Sequence, residues 1–374
     1  MKSFKEFLAD SEEGSMTVEN EYGFEIDFLP VGNGEKSGDA IALRYGKNDE
    51  YFIHVIDGGT RESGANLVDH IQKYYGNPPF IDHIVCTHSD GDHASGLRDV
   101  LENFKVGAVW MNRPWLYAEE LVDAFKDDRW TVDGLRKRLK ELFPVLVEIE
   151  QLASSEGVPV YEVFQGQEIG AFTVLAPSRA RYLELIPKFD KTPAAKFEGL
   201  GGLYEKAKKK VASWIEEFWH LETLSEGEDT SPSNDASIVQ ATNINNRILV
   251  FNGDAGVGAL NEAADFLNLE NGLDKLNFFQ VPHHGSKRNV SPSVLNRWVG
   301  EPLEEGDKRN IIAFVSASKE SETHPRKKVV NAFVRRGVSV HPTNGKTIRH
   351  SHNMPDRPGW TSLTPLEFSP VVEE

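Results

Sequence analysis

Between Gly23 and Val31 apolar and polar residues alternate, with Phe24, Ile26 and Phe28 on one side and Glu25 and Asp27 on the other. A period of two predicts a half-buried strand. After a Gly-rich turn, Asp39–Tyr45 and Tyr51–Ile56 predict two further strands, the second closing on Asp57-Gly58-Gly59. Ala65–Tyr75 has helical spacing and leads into the apolar run Ile81–Cys86, which predicts another strand, with a helix over Ala94–Leu101 beyond it. From Trp115 to Gly157 the pattern is helical and highly charged, broken at Pro144. Strands return at Val158–Val163 and Phe172–Ala176. Leu203–Leu224 is again helical, with Val211, Trp214, Ile215 and Phe218 on one face, which predicts a core-facing helix. Glu226–Ser233 is a loop, and Ser237–Ala241 with Arg247–Phe251 forms a hairpin turning through Asn243–Asn246. Strand runs followed by helix runs, twice over, predict two sheets face to face with helices outside.

Composition narrows the class. With 374 residues, 39% hydrophobic residues and seven Trp, the chain can build one large domain or two ordinary ones. The single cysteine, Cys86, rules out a disulfide framework and fits a reducing compartment. Met1–Asp10 lacks a long apolar stretch, which argues against a signal peptide or membrane anchor and leads us to expect a soluble, cytoplasmic protein. A net charge of -17 argues against a broad electrostatic grip on nucleic acid. Local basic runs exist at Lys206–Lys210, Lys287-Arg288 and Arg326–Lys328.

Chemistry concentrates at strand ends. His88, Asp90, Asp92 and His93 stand in Thr87-His88-Ser89-Asp90-Gly91-Asp92-His93, directly after a predicted strand. Two imidazoles and two carboxylates at one sheet edge suit one divalent metal or a pair. Helix capping by Asp92 would account for one residue of the four. Three later runs end in the same way. Arg247–Phe251 leads to Asn252-Gly253-Asp254, Leu276–Val281 to Pro282-His283-His284-Gly285-Ser286, and Ile311–Val315 to Ser316-Ala317-Ser318 with His324-Pro325 shortly after.

Taken in order, these pieces resemble the metallo-β-lactamase fold, and more closely the hydrolase domain of competence-type DNA-uptake proteins and their free-standing soluble relatives. The matching segments are Leu29-Pro30-Val31-Gly32, Gly38-Asp39-Ala40, Asp57-Gly58-Gly59, Thr87–His93, Asn234-Asp235-Ala236-Ser237, Asn252-Gly253-Asp254, Val281–Ser286 and His324-Pro325. The resemblance implies an α/β (α+β) protein, an αββα sandwich forming one domain over 1–374 with helical insertions near 112–157 and 178–232. It also implies two metal sites. His88 and Asp90 would hold one ion, with Asp235 or a water; Asp92, His93 and His283 would hold the other, and Asp254 would bridge them. Which of His283 and His284 is the ligand stays open, as does whether Asp235 ties down the hairpin instead. The commoner pattern of this fold has His at the Asp90 position and a glycine pair where Ser95-Gly96 stands here. The absence of a membrane channel also argues against a role in DNA uptake.

Two divalent ions carry four positive charges, which Asp90, Asp92, Asp254 and a bridging hydroxide balance. Carboxylate-rich coordination makes manganese plausible beside zinc. The bridging hydroxide would attack, since metal binding lowers the pKa of water from near 16 to roughly 7. Asp92 would hold the metals in place, His284 or His324 would protonate the leaving group, and Ser286, Lys287 and Arg288 would contact a phosphate. The leading expectation is a metal-dependent phosphodiesterase or nuclease. A hydrolase of small esters, lactones or thioesters, and a non-catalytic metal-bound regulatory or binding module, are the alternatives. The helical insertions could serve a protein partner or a homo-oligomer contact.

Overall fold

In the computed structural model, which describes residues 22–32, 37–125, 129–193, 214–227 and 229–373, the chain forms two seven-stranded sheets. β1 (Gly23–Phe28), β2 (Ala40–Lys47) and β3 (Glu50–Gly58) are antiparallel neighbours, and β4 (Phe80–Val85), β5 (Lys105–Trp110) and β6 (Val160–Tyr161) continue the sheet in parallel from β3. The second sheet starts at β7 (Glu168–Ile169) and β8 (Phe172–Ala176). The short strand β9 (Trp214–Glu216) stands outside it. β10 (Val239–Ile244) and β11 (Arg247–Phe251) form the hairpin, and β12 (Leu276–Gln280), β13 (Ile312–Val315) and β14 (Ser339–Pro342) extend it in parallel from β11. β15 (Ile348–His352) crosses back to pair with β1, and β16 (Val371–Glu373) pairs with β9.

Three hydrophobic layers make this an αββα arrangement. The central one joins Phe24, Ile26, Phe28 and Ile56 of the first sheet to Phe172, Phe251, Phe278 and Phe314 of the second. The opposite face of the first sheet packs Val55, Ile84 and Val109 against Leu67, Val100 and Ile149, from the helices Arg61–Tyr74, Leu97–Asn103 and Pro144–Ser155. The outer face of the second packs Val250 and Phe279 against Leu260, Trp298 and Phe333, from Val257–Phe266, Pro292–Val299 and Lys327–Arg335. Burial of these side chains drives the layering, at roughly 25 cal/mol per Å² of apolar surface removed from water. Parallel strands in both sheets bring their C-terminal ends toward one crevice, as open α/β sheets do.

The polar side of β1 departs from expectation. Glu25 and Asp27 are fully buried rather than solvated. Arg44, Arg349 and Arg357 converge on Glu25, with Arg349 Nε at 2.6 Å. Arg357 also reaches Asp27 at 2.7 Å, beside His70 at 3.2 Å and the Tyr75 hydroxyl, which donates at 2.8 Å. Burial opposes the Asp27 charge, yet His70 and Arg357 hold its carboxyl below the ordinary value. A buried carboxylate persists only with such partners, and two of the arginines come from the C-terminal segment.

Other expectations need correction. Trp214 and Ile215 lie in β9, not a helix, and Trp214 and Phe218 are exposed rather than core residues. Val211 and the run Lys206–Lys210 lie outside the described residues. The predicted strand Val158–Val163 shrinks to Val160–Tyr161. The predicted helix Ala94–Leu101 is two, Gly91–Ala94 and Leu97–Asn103, because the chain must pass very close to its neighbours at Gly96. A Cβ on Gly96 would sit 2.0 Å from the Gly58 carbonyl oxygen, so only glycine permits that approach. Pro144 does break the helical stretch, opening Pro144–Ser155 at its first turn. Among the described residues, no helix is long and apolar enough to cross a membrane.

Candidate metal centre

Each candidate ligand is delivered by the loop after a parallel strand. β4 leads to His88, Asp90, Asp92 and His93; β11 to Asp254; β12 to His283 and His284; and Asp57 is the second-last residue of β3. Capping does not explain the first loop, since neither Asp90 nor Asp92 makes a side-chain cap bond to Gly91–Ala94 or Leu97–Asn103. His283 and His284 both adopt left-handed backbone, with φ of 46° and 57°. Two adjacent non-glycine residues there cost on the order of 1–3 kcal/mol each, and such strain gathers at functional sites. This turn aims both imidazoles at Asp254.

The hydrogen bonds fix each imidazole in one tautomer. Thr87 donates from N at 2.8 Å to Asp57 Oδ1 and from Oγ1 at 2.6 Å to Oδ2. The Thr87 hydroxyl, its proton already given, then accepts from His88 Nδ1 at 3.0 Å. His93 Nδ1 donates to Asp57 Oδ2 at 2.9 Å. His284 Nδ1 donates to the Ser316 carbonyl at 3.1 Å. His283 Nδ1 donates to Asn289 Oδ1 at 2.8 Å, while the Asn289 amide nitrogen donates to the Asp254 carbonyl at 2.8 Å. With every Nδ1 carrying a proton, the Nε2 atoms of His88, His283 and His284 present lone pairs, as does that of His93 once a bound ion displaces its second proton.

Those lone pairs converge on one carboxylate. Asp254 Oδ2 faces His88 Nε2 at 3.8 Å and His283 Nε2 at 3.6 Å. Oδ1 faces His93 Nε2 at 3.4 Å and His284 Nε2 at 3.8 Å. His88 Nε2, His93 Nε2 and Asp254 Oδ1 are buried without a hydrogen-bond partner. A lone pair facing a carboxylate oxygen repels it unless a proton, as on His93, or a metal cation stands between them. Tetrahedral ligands with bonds of about 2.1 Å lie about 3.4 Å apart, which these separations match. The residues therefore fit a divalent ion on each side of Asp254. Asp92, His93 and His284 form one ligand-capable group, and Asp254, His283 and His284 another, with ligand atoms within 4.8 Å of one another. Asp90 Oδ2 lies 3.9 Å from His88 Nε2.

Two points that the sequence left open take a definite geometry. His284, not His283, stands with Asp92 and His93, because the left-handed turn puts His283 on the His88 side. Asp235 points away from the cluster: it pairs with Arg181 and accepts from the Ala259 N–H at 2.9 Å. Its neighbour Asn234 reaches in instead, with Nδ2 at 3.4 Å from Asp254 Oδ2 and at 3.4 Å from His283 Nε2. His324 is half-buried near enough to His284 to lower its basicity, and Ser286 is buried where its hydroxyl accepts from the Arg288 N–H. Lys287 is half-buried and Arg288 exposed.

Asp57 and Asp39 carry roles that spacing alone did not assign. Asp57, with φ of 55°, orients His93 and Thr87 together. Asp39 is buried 3.7 Å from His93 Nδ1 and accepts from Gln280 Nε2 at 2.8 Å, while Gln280 Oε1 accepts from the Asn252 and Gly253 N–H groups. Gln280 thus ties Asp39 to the loop that carries Asp254. Burial pushes the Asp39 carboxyl up to about 7, against the pull of His93.

The charges of the cluster predict proton-coupled metal binding. Burial lowers the pKa of His284 to about 3 and that of His88 below its ordinary value, so both offer lone pairs at neutral pH. Burial also opposes charge on His93, but Asp254 and Asp57 outweigh it and raise its pKa well above the ordinary range. Without metal His93 keeps a proton on Nε2; a bound ion must displace it. Metal binding at neutral pH is expected to release protons and to weaken as the pH falls. Calorimetry in buffers of different ionisation enthalpy reads this directly, and a binding heat independent of buffer would contradict it.

Residues 36–172 match the family model of the metallo-beta-lactamase superfamily. Among solved structures, the metallo-beta-lactamase fold protein YhfI from Bacillus subtilis is similar over 88% of this chain and 100% of its own, with 7% identity and a TM-score of 0.42. A putative metallo-beta-lactamase from Thermotoga maritima is similar over 66% of this chain and 90% of its own, with 12% identity and a TM-score of 0.31. No curated protein matches the chain.

Proposed function

We propose that this chain, which carries a metallo-β-lactamase superfamily domain of the metal-dependent hydrolase type, binds two divalent ions and hydrolyses phosphodiesters. The observation that carries the metal reading is the focusing of four Nδ1-anchored imidazoles on the two oxygens of Asp254. One ion would be held by His88, Asp90, His283 and Asp254 Oδ2, the other by Asp92, His93, His284 and Asp254 Oδ1. Bound there, zinc or manganese lowers the pKa of a coordinated water to roughly 7 and so supplies hydroxide at neutral pH. Asp57, Thr87, Asn289 and the Ser316 carbonyl keep the ring planes fixed, so the ligands need little reorganisation.

With His284 turned toward Asp254, His324 becomes the better proton donor for the leaving group. Its Nδ1 lies 2.9 Å from Thr323 Oγ1, which orients the ring and leaves Nε2 as the nitrogen that would pass the proton. Lys287 and Arg288 follow the histidine loop at the surface, where two cations in a chain of net charge -17 favour an anionic substrate over a neutral one. The resemblance of the loops to the hydrolase domain of DNA-uptake proteins supports the same choice.

Metal-loaded protein should therefore turn over bis-p-nitrophenyl phosphate in preference to a lactone or a thioester. The double change Lys287→Ala with Arg288→Ala should cut that turnover about tenfold or more, with metal content unaltered. Binding to a polynucleotide should weaken as salt rises. Strong lactone or thioester turnover without phosphodiester cleavage would replace this reading with that of a small-ester hydrolase.

A further inference from the structure

A third cation reaches the centre from the second helical insertion. Lys191 lies beyond the turn Ile186–Lys188, and its Nζ stands 3.2 Å from Asp90 Oδ1. The other oxygen of Asp90 is the one that faces His88. Lys191 therefore stands immediately outside the cluster, one carboxylate removed from it.

Its position is built rather than incidental. Thr192 closes the turn, with its N–H donating to the Phe189 carbonyl at 2.9 Å and its hydroxyl to the same oxygen at 2.7 Å and to the Ile186 carbonyl at 3.1 Å. Phe189 is buried against the insertion helices, and with Met111, Leu146 and Tyr182 it lines a narrow cavity beside His88. The Lys191 ammonium lies 6.0 Å from the centre of the Phe143 ring. Lys191 and Asp90 are both partly open to solvent, at 49% and 36% side-chain exposure, so their pairing adds little stability. An ammonium has three donors, and Asp90 takes one. Among the described residues Asp90 is its one ion-pair partner, which leaves donors beside the Asp90 carboxylate for an anionic group.

We propose that Lys191 is a specificity-determining residue that binds the phosphate adjoining the scissile one. The preferred substrate is then a phosphodiester carrying a neighbouring phosphate, as in a nucleotide strand, rather than an isolated diester. This deepens the phosphodiesterase reading and rests on it. Lys191 then adds a phosphate contact beside the proposed metal ligands, while a net charge of -17 disfavours long duplexes.

The test compares a thymidine dinucleotide with its 5′- and 3′-phosphorylated forms as substrates for the wild type, Lys191→Ala and Lys191→Arg. The wild type should favour one phosphorylated form. Lys191→Ala should raise the KM of that form about tenfold relative to the unphosphorylated dinucleotide, the size of one charge-assisted contact, and Lys191→Arg should restore most of the preference. Binding of the same dinucleotides to protein stripped of metal, read by tryptophan fluorescence, should show the same ratio without turnover. Equal effects on all three dinucleotides, or loss of metal in Lys191→Ala, would overturn the proposal and leave Lys191 as a partner of Asp90 alone. If no dinucleotide is cleaved but Lys191→Ala still weakens binding of the phosphorylated form, the phosphodiesterase reading fails and the phosphate contact stands.

Discussion

Asp254→Ala is expected to reduce hydrolysis to background and to release at least one metal ion while the protein stays folded. The Asp254 carboxylate faces all four imidazoles, two from each oxygen, and among the described residues no other carboxylate is shown facing all four. The fold does not depend on that carboxylate. The Asn289 amide holds the Asp254 backbone carbonyl at 2.8 Å, and Gln280 holds the Asn252 N–H at 2.8 Å, and neither bond involves the Asp254 side chain. In the metal-free protein the change removes the partner of the protonated His93, whose Nδ1 Asp57 still holds at 2.9 Å. Metal analysis, turnover and urea unfolding of the variant separate these effects. Unchanged metal content with unchanged turnover would refute the shared-ligand role, and global unfolding would show that the loop needs the carboxylate.

Glu25→Ala is expected to have the opposite signature: a large loss of stability with the centre intact. Glu25 is fully buried and receives Arg44, Arg349 and Arg357. Deleting one partner of a buried ion cluster leaves charge uncompensated and costs about 3–5 kcal/mol. The C-terminal segment should loosen first, because Arg349 and Arg357 tie it to β1. Urea denaturation measures the change, and a loss below about 1 kcal/mol would mean that Asp27 and water suffice to hold the arginines. Metal content per folded chain should not move, since β1 supplies no ligand-capable side chain to the cluster.

Much of the fold was legible because it is local. A period-two run marked β1, apolar runs marked β4, β11, β12 and β13, and polar residues directly after β4, β11 and β12 marked where the sheets open. His88, His93, Asp254 and the histidine pair all reach the centre that their strand-end positions suggested. What the sequence hid depends on contacts between distant segments. Glu25 and Asp27 look like a solvated face until β15 and the chain beyond it bring Arg349 and Arg357 over them. Asp235 looks like a ligand until Arg181, from the second insertion, takes its carboxylate. Lys191 pairs with Asp90 across 101 positions, a link no spacing rule reports. The choice between His283 and His284 rests on backbone angles, and Gly285 gave only a weak hint of the turn that sets them. Trp214 and Phe218 misled for the same reason: their spacing is helical, but β16 recruits Trp214–Glu216 into a strand.

In the proposed reading Asp254 would stand between two metal ions. Anomalous diffraction at the zinc and manganese edges, on crystals of protein purified with each metal, tests it most directly. The account predicts two peaks per chain about 3.5–4 Å apart, one at each oxygen of the Asp254 carboxylate. A single ion away from Asp254, or no ion among His88, His93, His283 and His284 after metal loading, would contradict it.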